Sequence, residues 1–225
     1  FTVRGDGVAA CTEEAARILQ QCGGEVQQLL PSASRYTAGD VLLTATGAAA
    51  GLLRAWKIAQ NLLEYACGVA SATACMVQAV QAVAPRVAVL TTRKHAPGLR
   101  RIALKATLSG GAFPHRLSVG ETVLVFPQHR ALLGDWDALQ ARLLQAAHAM
   151  AEKKCVIEAH SLNDALAAAQ AGADVVQFDK ASPDDLRQWC PVVRQQHPSL
   201  ALLAAGVVGF YLLSEAVSRP SKVVQ

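Results

Sequence analysis

Residues 155–189, CVIEAHSLNDALAAAQAGADVVQFDKASPDDLRQW, decide the fold. Cys155 to Glu158 is a short apolar run ending in a carboxylate, the pattern of a buried strand. Leu162 to Ala171 predicts a helix, Val175 to Asp179 a second strand that again ends on an acid, and Pro183 to Gln195 a second helix. The rhythm continues in both directions. Leu200 to Ala205 predicts another strand. Upstream lie Val87 to Leu90 (strand), Leu99 to Leu108 (basic helix), Thr122 to Phe126 (strand) and Asp137 to Met150 (helix). Short apolar strands alternating with helices predict a parallel sheet, open or closed into a barrel. Polar residues gathered at the strand ends favour the α/β barrel.

The first 50 residues or so read differently. Phe1 to Val3 and Val8 to Cys11 predict strand pieces around Gly5-Asp6-Gly7. Thr12 is a plausible N-cap for a helix stopped by Cys22-Gly23-Gly24. Val26 to Leu30 and Val41 to Thr46 are strand-like. From Gly51 the period becomes helical, with Leu52, Leu53, Trp56, Ala59, Leu62, Leu63 and Ala66 on one face. Gly68 is expected to break that helix before a second one, Ala70 to Val83, closed by Pro85. The expected organisation is an N-terminal α/β sandwich over 1–58 and an α/β barrel over 59–225. The chain opens inside a strand, so a missing N-terminal portion is expected.

Composition narrows the function classes. The chain has 225 residues, 52% hydrophobic and 17% charged, which excludes general disorder. A net charge of +4 with no Lys/Arg run argues against nucleic acid. The six cysteines, at 11, 22, 67, 75, 155 and 190, form no Cys-x-x-Cys pair and are expected as buried, reduced thiols. The apolar run Leu200 to Leu213 is shorter than the ~20 residues of a membrane span, and no signal peptide is expected. A cytoplasmic protein without membrane partners is expected. Trp56, Trp136 and Trp189 are expected as packing anchors.

Catalytic groups on α/β barrels sit where strands give way to loops. Val87 to Leu90 exits into Thr91-Thr92-Arg93-Lys94-His95. Cys155 to Ile157 exits at Glu158, followed by Ala159-His160. Val175 to Phe178 exits at Asp179-Lys180, and Leu200 to Ala205 exits into Gly206. Cations and carboxylates at one mouth suit transfer from a phosphorylated sugar diphosphate. Arg and Lys match its negative charge, and carboxylates match the positive charge developing at C1. A Mg²⁺ shared between phosphate oxygens and carboxylates would neutralise the leaving group. Ser109-Gly110-Gly111-Ala112-Phe113-Pro114-His115-Arg116 adds a glycine loop through which backbone N–H groups could approach an anion.

The run Thr91-Thr92-Arg93-Lys94-His95-Ala96-Pro97-Gly98-Leu99-Arg100, followed by Gly110-Gly111 and His115-Arg116, resembles the quinolinate phosphoribosyltransferase (nicotinate-nucleotide pyrophosphorylase) family. Arg54-Ala55-Trp56-Lys57, Pro114-His115-Arg116-Leu117 and Glu121 to Phe126 resemble its ModD branch from molybdenum-transport operons. The resemblance implies an N-terminal α/β sandwich, an incomplete α/β barrel, and a homodimer or higher homo-oligomer whose sites borrow a cation from the partner. It implies phosphoribosyl diphosphate and a small aromatic acid as substrates, with Mg²⁺ as cofactor. By position, Lys57 matches the cation lent across the dimer. Arg93, Lys94, His115 and Arg116 match the substrate-binding groups. Glu158 and Asp179 match the acidic pair at ribose and metal, acting with Lys94 in catalysis.

Departures from the family point to a different acceptor. Phe126-Pro127-Gln128-His129 stands where quinolinate enzymes have a lysine-led run. His95 replaces threonine, Pro114 replaces asparagine, and Lys57 replaces arginine, which removes bidentate carboxylate recognition. Gly206-Val207-Val208-Gly209 runs straight into Phe210, so residues are expected to be absent around Gly206 to Phe210. A ligand-binding or regulatory protein that has lost turnover is the alternative reading. A phosphosugar lyase or isomerase would need a lysine inside a strand, and none is well placed. His95 and His129 have no obvious charge partner in the sequence. Lys105 and Lys180 are expected in structural or peripheral roles.

Overall fold

The computed structural model describes residues 1–206. The expected gap around Gly206 to Phe210, and the apolar run past Gly206, lie outside the described residues. The chain divides into two compact units, one formed by Phe1–Gln78 with Ala88–His115, the other by Ala79–Val87 with the chain from Arg116.

The first unit contains β1 (Gly7–Val8), α1 (Thr12–Gln21), β2 (Glu25–Leu29), β3 (Arg35–Tyr36) and β4 (Leu43–Thr46). Most of α2 (Ala49–Val83), β5 (Leu90–Thr91), α3 (Arg100–Ser109) and β6 (Phe113–Pro114) complete it. β1 pairs with β3 and β2 with β4, both antiparallel, while β5 and β6 are parallel. The core lies where Ala15, Ala16 and Leu19 of α1 meet Leu42, Leu43, Ala55, Ala59 and Leu63. A second cluster joins Val8, Ala10, Cys11, Ala66, Ala70, Ala74 and Ala106. Small residues on α2 let neighbouring backbone come close.

Two expectations fail here. Gly68 does not break the chain into two helices, because α2 runs unbroken for 35 residues. A glycine inside a helix costs about 1 kcal/mol. The buried stripe of Ala55, Ala59, Leu63, Ala66, Ala70, Ala74 and Val77 continues on both sides of it, and that packing outweighs the local cost. Thr12 is not the N-cap of α1. Cys11 holds that position in the left-handed region, φ 58°, with no side-chain cap, and the Thr12 hydroxyl is buried without a hydrogen-bond partner. Ala9, Ala10 and Cys11 are fully buried, so the turn into α1 is shaped by packing rather than by capping. By length and composition α2 could also cross a membrane, but its stripe of small residues is spent on the protein's own core.

The second unit is built from β7 (Thr122–Val125), α4 (Pro127–Leu133), α5 (Trp136–Ala146), a 3₁₀ turn (Ala147–Met150) and β8 (Lys154–Ala159). It continues through α6 (Leu162–Gln170), β9 (Val175–Asp179), α7 (Pro183–Gln196) and β10 (Ala201–Ala205). The strands form one parallel sheet in the order β10-β9-β8-β7. β8 is buried from Cys155 to Ala159, as a central parallel strand covered by helices should be. Phe178 of β9 is fully buried, its ring 5.6 Å from that of Trp189.

Side-chain caps start three of the helices. Asp135 accepts from the Ala138 amide, Ser161 from Asp164 and Ser182 from Asp185. The last two matter for function. They let α6 begin three residues after the end of β8 and α7 four residues after the end of β9, so the residues at those strand exits are tightly held. Trp56 is not a packing anchor. It is 46% exposed, with its Nε1 donating to Gln60. The cysteines are not uniformly buried either, for Cys75 is exposed and Cys22 half-buried.

Candidate active site

The exits of β8 and β9 bring acids together. Glu158 pairs with Gln177 across the two strands, and Asp179 lies two residues further along. Strand side chains alternate between faces, so Glu158, Gln177 and Asp179 share one face of the sheet, and His160 follows Glu158 at the same spacing. Glu158 is 8% exposed and receives a hydrogen bond on Oε2 from Gln177 Nε2 at 3.3 Å. Its other oxygen, Oε1, faces His160 Nε2 at 3.2 Å. The His160 amide donates to Asp164 Oδ2 at 3.2 Å, tying this turn to the start of α6. Asp179 Oδ2 has Lys180 Nζ at 3.7 Å.

Burial pushes the Glu158 carboxyl above the usual range, and the neighbouring Asp179 charge pushes the same way; His160 and Lys180 pull against them. Lys180 adopts the left-handed region, φ 57°, and its amide donates to the Ala205 carbonyl at 2.9 Å. Gly206 follows with φ +89°. A Cβ there would stand 2.8 Å from Lys180 Cγ, 2.9 Å from Lys180 N and 3.0 Å from Asp179 Oδ1. The acidic pair is therefore walled by backbone that admits only glycine.

The first unit carries its own cationic group. β5 and β6 lie side by side with Thr91 opposite Pro114, and the His115 amide donates to the Thr91 carbonyl at 3.0 Å. Arg93 and Lys94, just past β5, are exposed, and His115, just past β6, is half-buried. The Lys94 amide lies 3.4 Å from Thr92 Oγ1. Lys57 is exposed on α2, donating to Gln60 Oε1 at 3.0 Å and lying 5.5 Å from the Trp56 ring centroid. Arg116 belongs to the second unit, where its Nη1 donates to the Thr122 carbonyl at 3.4 Å. Each unit thus gathers part of the expected set: Arg93, Lys94 and His115 in one, Glu158 and Asp179 in the other.

Other sequence features take structural roles. Gly110 caps α3, and a Cβ on it would meet the Ala70 carbonyl oxygen and Thr73, so it marks a close crossing of α3 on α2. Gly111, φ +89°, ends the helix. Packing and helix termination account for both glycines. His129 Nδ1 accepts from the Phe126 amide at 3.0 Å and so helps start α4, a helix the sequence pattern did not announce. Lys105 joins Glu13 at 2.9 Å and Glu14 at 2.6 Å. Gln177 is the residue that sequence reading missed, and His160 the one it saw at a strand exit without giving it a role. Their signal was the two-residue step along β8 and β9 from residues already singled out.

Residues 1–67 match the family model for the N-terminal domain of quinolinate phosphoribosyl transferase, and residues 69–216 match that for its C-terminal domain. The chain belongs to the quinolinate phosphoribosyl transferase family. It is 44% identical to the ModD protein of Rhodobacter capsulatus over 183 residues, covering 81% of this chain and 70% of that protein. It is 33% identical to the human nicotinate-nucleotide pyrophosphorylase [carboxylating] over 189 residues, covering 84% of this chain and 63% of the human one. NadC from Streptococcus pyogenes superposes with a TM-score of 0.78 at 25% identity, covering 92% of this chain and 79% of NadC. The nicotinate-nucleotide pyrophosphorylase of Francisella tularensis, at 20% identity, gives a TM-score of 0.83 over 98% of this chain and 77% of its own. The fold is that of this phosphoribosyltransferase family, an N-terminal α/β domain followed by an incomplete α/β barrel.

Proposed function

We propose that this member of the family transfers phosphoribose from phosphoribosyl diphosphate to an aromatic or heteroaromatic acid, releasing pyrophosphate, in a cytoplasmic homodimer or higher homo-oligomer. The observation that carries this reading is the pair Glu158 and Asp179, held on one sheet face at adjacent strand exits, with Glu158 buried. As the C1–oxygen bond to pyrophosphate breaks, positive charge gathers on the ribose ring, and two carboxylates beneath it lower that barrier. The acceptor's ring nitrogen then closes the new bond to C1, and the electron pair of the broken bond leaves with pyrophosphate.

Arg93, Lys94, His115 and Arg116 supply cations and N–H donors for the phosphates and the acceptor's carboxylate, and Lys57 would do so from a partner chain. The donor set at β8 and β9 fits a divalent cation such as Mg²⁺, since two carboxylates converge there. Bound at Glu158 and Asp179, the ion would supply charge neutralisation for the departing pyrophosphate.

Phe126 bears on the choice of acid. An apolar ring that opens α4 replaces the family's lysine, which favours an acceptor with less negative charge than quinolinate. The test is pyrophosphate release by purified protein supplied with phosphoribosyl diphosphate, Mg²⁺ and a panel of aromatic acids. Release with one acid, absent in Glu158→Gln, is the expected result. No release with any acid would favour the second reading, a ligand-binding protein without turnover, for which calorimetry should then show tight binding.

A further inference from the structure

We propose that Arg130 is a positioning residue that ties the turn after β8 to α4 and thereby fixes the setting of Glu158. β7 and β8 run side by side with Val125 opposite Ile157, and the next residues along the two strands are Phe126 and Glu158. The chain turns into α4 at Phe126. Arg130 lies one helical turn on, its amide donating to the Phe126 carbonyl at 3.2 Å. Its guanidinium carbon stands 4.1 Å from the centre of the Trp136 ring, and its Nη1 lies 3.5 Å from Asp164 Oδ1. The other oxygen of Asp164 accepts from the His160 amide at 3.2 Å, and His160 Nε2 lies 3.2 Å from Glu158 Oε1. A continuous line of contacts runs from the helix after β7 to the buried acid on β8.

Stability alone does not account for this arginine. Its side chain is 17% exposed and that of Asp164 27%, so both charges give up most of their water. Its Nε is buried with no hydrogen-bond partner among the described residues, which adds to the cost. A buried ion pair stabilises weakly, and apolar side chains of similar volume fill such a place at less cost. What the arginine supplies is geometry. A flat guanidinium stacked on an indole, with its N–H fork aimed at one carboxylate, has few ways to move. Asp164 is held in turn, and it keeps the His160 backbone where the imidazole meets Glu158. A reacting group needs such support, since its placement must hold to within about 0.5 Å. The contacts rest on the geometry alone; their use in turnover rests on the function proposed above.

The test is amide hydrogen exchange of the full chain, read by mass spectrometry. It compares the native protein with Arg130→Met, Arg130→Lys, Asp164→Ala and the double variant Arg130→Met/Asp164→Ala. Arg130→Met should speed exchange in peptides containing residues 158–163 by roughly three- to fivefold and leave those of α1 and β2 unchanged. Arg130→Lys, which keeps the charge, should retain most of the protection. Because Arg130 acts through Asp164, the double variant should exchange there no faster than Asp164→Ala alone. Native exchange at 158–163 in Arg130→Met, acceleration spread evenly over the control peptides, or simple addition in the double variant overturns the inference. Kinetics gives a second readout. A misplacement of about 1 Å can cost about a hundredfold, so the smaller shift in Arg130→Met should lower kcat roughly tenfold and change KM for phosphoribosyl diphosphate less than about twofold. A raised KM at unchanged kcat overturns the positioning role. Absence of pyrophosphate release from every sample, native included, sinks the transferase reading instead and leaves the exchange result to decide this one.

Discussion

Gln177 faces Glu158 directly across the β8–β9 pairing, and its amide donates to the buried carboxylate at 3.3 Å. A carboxylate only 8% exposed has lost most of its water, and such a donor replaces part of what it lost. Gln177→Leu removes it and should push the Glu158 carboxyl higher still. The acid limb of the rate profile then moves to higher pH. Hydrogen bonds to charged groups contribute about 1.5–3 kcal/mol, so kcat should fall by roughly ten- to a hundredfold. Rates of pyrophosphate release between pH 5 and 9, roughly the span in which such a shift is visible, check it. An unmoved acid limb would show that Gln177 does not tune the carboxylate.

Glu158→Gln should lower turnover by at least about a hundredfold, as loss of a group matched to transition-state charge does. It should also raise thermal stability at neutral pH. A carboxyl whose folded-state pKa is raised binds its proton more tightly in the native chain than in the unfolded one. Ionising it therefore costs stability, and that cost grows as pH rises from the ordinary value near 4.5 through the raised one. The variant should melt higher than the native protein at about pH 7 and no differently at about pH 4, where both side chains are neutral. Melting curves at the two pH values decide the matter.

Gly206→Ala should damage both stability and turnover. Left-handed backbone costs an ordinary residue about 1–2 kcal/mol, and here the added Cβ also presses on Lys180 N and Asp179 Oδ1. Gly172→Ala is the control, since Gly172 has φ +99° with nothing within 4 Å of the added carbon. Both variants should lose stability, but only Gly206→Ala should lose turnover. Equal kinetics in the two would show that crowding at Asp179 is harmless.

Lys105→Met should loosen the tie between α1 and α3. All three charges are more than a third exposed or close to it, so the loss should be no more than about 1 kcal/mol and should shrink in salt. Burial works to raise the Glu13 carboxyl, but hydrogen bonds from Ser32 and Lys105 outweigh it and hold the group at about 2. A lowered acid contributes stability above its ordinary value near 4.5 and loses it as pH falls to about 2. The gap between native and variant melting temperatures should therefore close across that window. A gap that stayed constant would assign the role of Lys105 to packing of its stem.

The sheet and its acids were legible in the sequence because central parallel strands are apolar throughout. A carboxylate ending such a run, as at Glu158 and Asp179, stands out. Strands of two residues, such as β5 and β6, carry too little pattern to read, and the predicted strand Val87 to Leu90 shifts to Leu90–Thr91. The unbroken α2 was hidden because a glycine's local cost was weighed without the packing on either side. α4 was hidden because its cap is an imidazole rather than Ser, Thr or Asp. His160 was in view but unassigned, since its partnership with Glu158 depends on a strand that continues one residue past the acid.

The rung that sets Glu158 opposite Gln177 also fixes how far Asp179 stands from it, and it does so through hydrogen bonds in the middle of a buried sheet. Loops can lengthen, shorten or change composition without altering that spacing. A lineage can thus change the sequence of its loops while the acidic pair is handed down unchanged, and only a slip of the strands themselves would erase it.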